Sequence, residues 1–156
     1  MAMGHVCPSL AALGMIAVTA AVADPSPPRV LVFTRTDGFR HDSIPAGVAM
    51  FRRLGTQACF DVVHTEDQAW LTPANLSGLA AVVFLCTTGD VLDAPGQAAL
   101  EAYVRDGGGW VGVHSATDTE YDWPFYGELI GGAYFADHPP VQQATLHVEA
   151  IADGST

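Results

Sequence analysis

His114 is the residue whose setting in the sequence is best suited to chemistry. It ends an apolar segment and is followed by small residues, in the run Gly112-Val-His-Ser-Ala116. A buried strand that ends in such a tight turn exposes one side chain at the sheet edge, as in the nucleophile elbow of hydrolases. An imidazole there could act as general base, general acid or metal ligand. The alternative is a structural histidine that hydrogen-bonds neighbouring loops.

Ser115 is a rival candidate at the same turn. Side chains alternate between the two faces of a strand, so a continuing strand would direct Ser115 away from the face of His114. We therefore expect His114, and not Ser115, to face the site.

Two further histidines, His41 and His138, could reach the same place, and Asp118 follows His114 closely enough to orient its ring. We predict His114, His41 and Asp118 as catalytic residues. His41, His114 and His138, with Asp118 or Asp37, could instead bind a divalent transition metal. No compact ligand spacing such as His-Glu-x-x-His supports that alternative.

The positions of these residues depend on the fold. Along the chain, strand patterns alternate with helix patterns. Such alternation predicts an α/β fold of flavodoxin-like order, with a parallel sheet and helices on both faces. In that order Cys59 and Cys86 lie too far apart for a disulfide. Strands are predicted at Arg29–Thr34, Phe60–His64, Ala80–Cys86, Trp110–His114 and, half-exposed, Ala144–Glu149; helices are predicted at about Ser43–Leu54, from the cap Asp93 to about Arg105, and at Trp123–Ile130.

Polar residues follow each of the four central strands. The carboxyl ends of parallel strands share one edge of the sheet, where open α/β folds bind their ligands. A polar cleft is therefore expected there, unless these residues only cap helices and form loops. The segments concerned are Thr34–Asp37, His64–Asp67, Thr87–Asp90 and His114–Asp118.

Aromatic residues lie close to the last of these segments. Trp123 and Tyr126 could form walls that stack on a sugar ring, or they could pack in the core. For Phe125 and Phe135, core packing is a sufficient explanation.

The net charge of the protein indicates which kinds of binding partner are compatible with it. The sequence of 156 residues has 17 acidic and 6 basic residues, for a net charge of -11, and its length fits one domain. Repulsion of phosphates makes nucleic acid and membrane surfaces poor partners, whereas neutral carbohydrates or cations fit. Alternatively, the charge only keeps the protein soluble.

The first residues are typical of a secretory signal. An apolar run from Leu10 to Ala23 ends in Ala21-Val22-Ala23 and precedes a proline-rich segment. We predict a signal peptide at 1–23, a linker at 24–29, a domain at 30–156, and a secreted or periplasmic location. No Lys or Arg precedes the apolar run, so a misassigned start or an uncleaved anchor remains an alternative.

Seven motifs along the chain carry a family resemblance. They are Val30–Thr34, Gly38–Ser43, Thr65–Asp67, Thr87–Asp90, Gly107–His114, Asp122–Tyr126 and Phe135–Pro139. In these motifs the chain resembles the ThuA-like (trehalose utilisation) family. The resemblance implies a class I glutamine amidotransferase-like fold and a role in using trehalose or 3-keto-disaccharides. Because His114 stands where amidotransferases have Cys, glutamine hydrolysis is not expected. We predict the substrate-binding residues Asp37, Arg40, Glu66, Asp67, Asp122, Trp123 and Tyr126.

ThuA-like proteins continue past the last residue of this sequence, so we expect a domain that is incomplete at its C-terminus, and a homo-oligomer is conceivable. The leading functional hypothesis is an isomerase or lyase-type enzyme that acts on a keto-sugar. The alternatives are a non-catalytic sugar-binding module and a pseudo-enzyme that retains only the fold.

Overall fold

A computed structural model describes residues 26–140, 142–145 and 147. The predicted signal peptide and half of the predicted fifth strand, residues 146, 148 and 149, lie outside these residues. Residues 144, 145 and 147 of that predicted strand are described and are not in a strand. No helix within the described part is long and apolar enough to cross a membrane.

Four strands form one parallel sheet in the order β2-β1-β3-β4. The predicted flavodoxin-like arrangement is therefore confirmed, with the first strand between the second and third. The strands are β1 (Arg29–Phe33), β2 (Asp61–Thr65), β3 (Leu79–Leu85) and β4 (Gly109–Val113), and the α-helices are α1 (Ile44–Ala58), α2 (Pro73–Leu76), α3 (Ala94–Arg105) and α4 (Pro124–Leu129).

Apolar side chains of the central strands are buried on both faces of the sheet. Leu31 and Phe84 belong to the core that α2, α3 and α4 cover, whereas Val32 and Leu85 pack with Ile44 and Val48 of α1. Strands covered on both faces need continuous apolar sequences, which is why β1 and β3 are the clearest strands in the sequence.

The first helix is longer than predicted. It runs to Ala58, past the predicted end at about Leu54. Gly55 lies within the helix, at a point where the helix packs closely against the chain that follows it. A Cβ at Gly55 would lie 2.5 Å from the carbonyl oxygen of Phe60. The helix ends where Cys59 takes a left-handed conformation and its N–H donates to the carbonyl of Gly55.

Hydrogen bonds join the loops at the carboxyl edge of the sheet. The N–H of Asp37 donates to the carbonyl of Thr88 at 2.8 Å, and the Thr88 hydroxyl donates to the carbonyl of Phe39 at 2.9 Å. The N–H of Gly89 donates to the carbonyl of Asp118 at 2.8 Å. The loop after β3 therefore holds both the loop after β1 and the loop after β4.

Cys86 is a free and buried thiol, so the expectation that it forms no disulfide with Cys59 is confirmed.

Candidate functional site

A pocket of about 600 Å³ opens at the carboxyl edge of the sheet. Its volume is in the range of small-molecule sites. The structure brings His41, His114, His138 and Asp118 together there, although they lie far apart along the chain. The lining residues are Phe39, His41, His114, Ser115, Thr117, Asp118, Phe135 and His138.

His114 has a left-handed backbone, with φ of 57°, at the point where β4 ends. For a residue with a Cβ, this conformation costs about 1–2 kcal/mol. A 3₁₀ turn over His114–Thr117 follows directly, and the His114 side chain is exposed to the pocket. Strained non-glycine residues in exposed turns are concentrated at functional sites.

The rings of His41 and His114 lie edge to face, with centroids 4.5 Å apart and an interplanar angle of 79°. Phe39 packs against His41 in the same manner, at 4.8 Å and 80°. The ring of His41 is therefore in contact with an aromatic ring and an imidazole.

The pKa of His41 is lowered from its usual value of 6.5, first by burial and then by electrostatic interaction with the neighbouring His114. Asp118 and Asp42 oppose this shift. Neutral imidazole, which has one N–H donor and one acceptor nitrogen, is therefore favoured at His41 near neutral pH.

Ser115 faces the same pocket as His114, so the expectation that it points away is wrong. The strand ends at Val113 and the backbone enters a 3₁₀ turn, so the two-residue alternation of a strand no longer applies. The Ser115 side chain lies with Oγ 3.4 Å from Nδ1 of His41.

Asp118 is held by Tyr121, whose hydroxyl donates to Asp118 Oδ1 at 2.7 Å. Burial, followed by this contact with the carboxylate, raises the pKa of Tyr121 to about 12. The same hydroxyl contacts the carbonyl of Phe135, and the Phe135 N–H donates to the carbonyl of Thr117 at 2.9 Å. These contacts hold the segment that carries Phe135 against the turn after His114.

The predicted metal ligands share a pocket but do not form a metal-binding group. Within the described residues, no set of three or more His, Cys, Asp or Glu side chains could hold a metal ion. The Nδ1–H of His138 donates to the carbonyl of Pro139 at 2.9 Å, and its ring packs against Phe135.

Arg40 and Glu66, predicted to bind substrate, form an ion pair beside the pocket. Arg40 Nη2 lies 2.7 Å from Glu66 Oε1, and both side chains are about half exposed. The hydrogen bond from Arg40 is the main cause of a lowered pKa at Glu66. Thr34 joins this pair to His64, with Oγ1 2.8 Å from His64 Nε2 and 3.3 Å from Glu66 Oε1. Neither member of the ion pair lines the pocket.

The other predicted substrate-binding residues are also outside the pocket lining. Asp67 caps a 3₁₀ turn by accepting from the N–H of Ala69, and Asp37 and Asp122 are exposed. Trp123 packs against Tyr126 in the core. Tyr126 is fully buried, and its hydroxyl donates to the carbonyl of Ala116 at 2.6 Å. Its ring packs in the hydrophobic core and does not line the pocket.

The aromatic walls of the pocket are Phe39 and Phe135, which the sequence analysis did not select. Phe39 is 70% exposed and Phe135 is 37% exposed, so Phe135 is not the core residue that was expected. The Gly-Phe-Arg-His motif was the available signal for Phe39, since it placed a large apolar side chain in a polar loop.

Glu120 was missed entirely. Its carboxylate is 1% exposed and accepts from the N–H groups of Val91 and Leu92 at 2.8 and 2.7 Å, and from Gln97 Nε2 at 2.7 Å. Burial raises its pKa, against the effect of these hydrogen bonds. No local sequence pattern marks this residue, because its partners lie in a different loop.

The family model for ThuA, described as trehalose utilisation, matches residues 29–156. Among solved structures, a ThuA-like protein from Bacteroides uniformis superposes with a TM-score of 0.61 at 21% identity. The alignment covers 77% of this chain and 50% of that protein, so the chain spans about half the length of its structural relative. None of the curated proteins matches the chain.

Proposed function

The chain belongs to the ThuA (trehalose utilisation) family, and from this premise we propose that it is an enzyme acting on a keto-sugar, of the isomerase or lyase type. The observation that carries the proposal is the meeting of His41 and His114 in one pocket at the sheet edge, with ring centroids 4.5 Å apart. Two adjacent imidazoles suit a reaction in which one group removes a proton while another stabilises the charge that develops.

In the proposed reaction, His114 removes the proton from the carbon next to the ketone of a 3-keto-disaccharide. The electron pair of that C–H bond forms a carbon–carbon double bond, and the carbonyl oxygen becomes an enolate. An N–H of neutral His41 donates to that oxygen and stabilises its charge. The enolate then either regains a proton, which gives isomerisation, or expels the glycosidic oxygen, which gives elimination.

Asp118 supports this reaction electrostatically. Its carboxylate lines the same pocket as the two histidines, and Tyr121 fixes its position. A fixed negative charge in the pocket offsets the positive charge that the proposed proton transfer creates there.

The aromatic walls support a sugar as the ligand. Phe39 and Phe135 present exposed rings to the pocket, and such rings stack on the apolar faces of sugars. This observation also favours a second candidate function, a sugar-binding module without catalysis, because stacking requires no proton transfer.

The test uses the full chain with 3-keto-trehalose in heavy water, followed by NMR. We expect deuterium to enter at the carbon next to the ketone, and the His114→Gln variant to lose that exchange while it still binds the sugar. The matched control is Ser77→Ala, an exposed position away from the pocket. Equal exchange by His114→Gln would refute the enzyme proposal, and binding without exchange in the unmodified protein would favour the sugar-binding module.

A further inference from the structure

The hydroxyl of Ser115 lies beside the imidazole of His41, and both residues line the pocket. Ser115 is 8% exposed, and its Oγ is 3.4 Å from His41 Nδ1. Within the described residues, His41 is the hydrogen-bond partner found for this oxygen. The contact joins the turn after β4 to the loop after β1, across 74 positions of sequence.

The direction of this hydrogen bond decides which nitrogen of His41 faces the pocket with a proton. If Ser115 donates, Nδ1 is the acceptor and the proton of the neutral ring lies on Nε2. If Ser115 accepts, the ring proton lies on Nδ1, and the hydroxyl proton of Ser115 has no acceptor among the described residues. A buried donor without a partner costs more than an acceptor with an unused lone pair, so donation by Ser115 is favoured.

We propose that Ser115 is a positioning residue that donates its hydroxyl proton to Nδ1 of His41 and thereby holds His41 as the neutral Nε2–H tautomer. His41 can then act as a hydrogen-bond donor toward a carbonyl oxygen bound in the pocket, which is the role of an electrophile and not of a base. This inference rests on the proposed function for the identity of the acceptor, a ketone of a sugar.

The ring contacts of His41 complete the positioning. Phe39 and His114 both meet the His41 ring edge to face, at 4.8 and 4.5 Å, and so restrict its tilt. Those contacts do not distinguish one ring nitrogen from the other. Ser115 supplies that distinction, because it contacts Nδ1 alone.

The tautomer can be measured without any substrate. In the full chain labelled with ¹⁵N at histidine, at neutral pH, we expect His41 to show its proton on Nε2. In Ser115→Ala the two nitrogen shifts of His41 should move toward each other as the second tautomer becomes populated, and Ser115→Thr should restore them because it keeps the hydroxyl. Ser77→Ala, the same change at an exposed position, should leave them unchanged.

A proton on Nδ1 of His41 in the unmodified protein would overturn the inference, as would unchanged nitrogen shifts in Ser115→Ala. These outcomes do not depend on turnover, so they are distinct from a failure of the proposed function, which is an absence of exchange on 3-keto-sugars.

Turnover gives a second measurement. Ser115→Ala should lower kcat about tenfold with little change in KM. This loss is smaller than the hundredfold or more that follows removal of an oxyanion donor, because His41 itself remains in place. Ser115→Thr should recover most of the loss. A structural role alone would instead lower kcat in proportion to the folded fraction, and that result would contradict the positioning role.

Discussion

Two turns at the carboxyl edge of the sheet use the same backbone conformation with opposite surroundings. Cys86 follows β3 with φ of 53°, and His114 follows β4 with φ of 57°. The Cys86 side chain is 4% exposed and packs with Ile44 and Val48, whereas the His114 side chain is open to the pocket. We refer to these as the sealed turn (Cys86) and the open turn (His114).

The difference shows where strain is offset locally and where it is not. At the sealed turn, burial of the thiol compensates for the left-handed backbone. At the open turn, no comparable burial compensates, and the conformation places the imidazole at the pocket. Glu120 also has a left-handed backbone, with φ of 53°, and it resembles the sealed turn because its carboxylate is buried and hydrogen-bonded.

The largest expected difference is in catalysis. His114→Ala should lower turnover of a 3-keto-disaccharide by about 10²–10⁴-fold, because it removes the proposed general base. Cys86→Ala should retain turnover within about a few fold for the protein that remains folded, since the thiol does not line the pocket. Steady-state kinetics on both variants, corrected for the folded fraction by circular dichroism, tests this contrast. Similar losses in the two variants would remove the distinction between the turns.

Removal of the Glu120 side chain should give the largest change in stability. Glu120→Ala leaves the N–H groups of Val91 and Leu92 without their acceptor, so we expect a loss of about 3 kcal/mol in the free energy of unfolding. Glu120→Gln keeps that acceptor and should lose only about 1 kcal/mol, with the Gln97 amide rotated to accept. Urea denaturation of both variants measures the difference, and equal losses would show that these hydrogen bonds are not what holds the loop.

Glycine should act in opposite directions at the two turns. His114→Gly relieves the left-handed strain and loses little burial, so the free energy of unfolding should rise by about 0.5 kcal/mol. Cys86→Gly relieves the same strain but loses a buried side chain, so the free energy of unfolding should fall by about 1 kcal/mol. The comparison fails if both variants change stability with the same sign in urea titrations.

Acid should weaken the contacts of His41 with the open turn. Because the folded-state pKa of His41 is below 6.5, the unfolded chain takes up its proton first as the pH falls below 6.5, and stability is lost in that range. His41→Gln should remove this part of the pH dependence, by some tenths of a kcal/mol between pH 7.5 and 5.5. Thermal melts of both proteins at the two pH values provide the measurement. Parallel curves would contradict the lowered pKa.

The sequence allowed correct predictions where a contiguous residue pattern was sufficient to specify the structure. Apolar runs marked β1 and β3, and the polar residues after each strand marked the edge where the pocket opens. His114 could be selected because strand, turn and imidazole are contiguous. The walls of the pocket could not be selected in the same way, since exposure of Phe39 and Phe135 depends on loops that meet only in the folded chain.

Predictions from local sequence patterns were wrong where tertiary packing determined the structure. The first helix was predicted to end at about Leu54, yet α1 continues through Gly55, which allows it to approach the carbonyl of Phe60. Ser115 was assigned to the wrong face because its neighbours form a 3₁₀ turn. Tyr126 was predicted to form a wall of the ligand site because other aromatic residues are close to it in the sequence, but it is fully buried.

By itself, the sequence determined the parallel α/β order and the edge at which the pocket opens, because strand burial and connection length are encoded by contiguous residues. The tertiary structure decided which polar groups meet: His41 with His114 and Ser115, Arg40 with Glu66, and Glu120 with the loop after β3. These pairs depend on how loops from separate strands converge, and that convergence is fixed by sheet register and backbone turns that no short segment specifies.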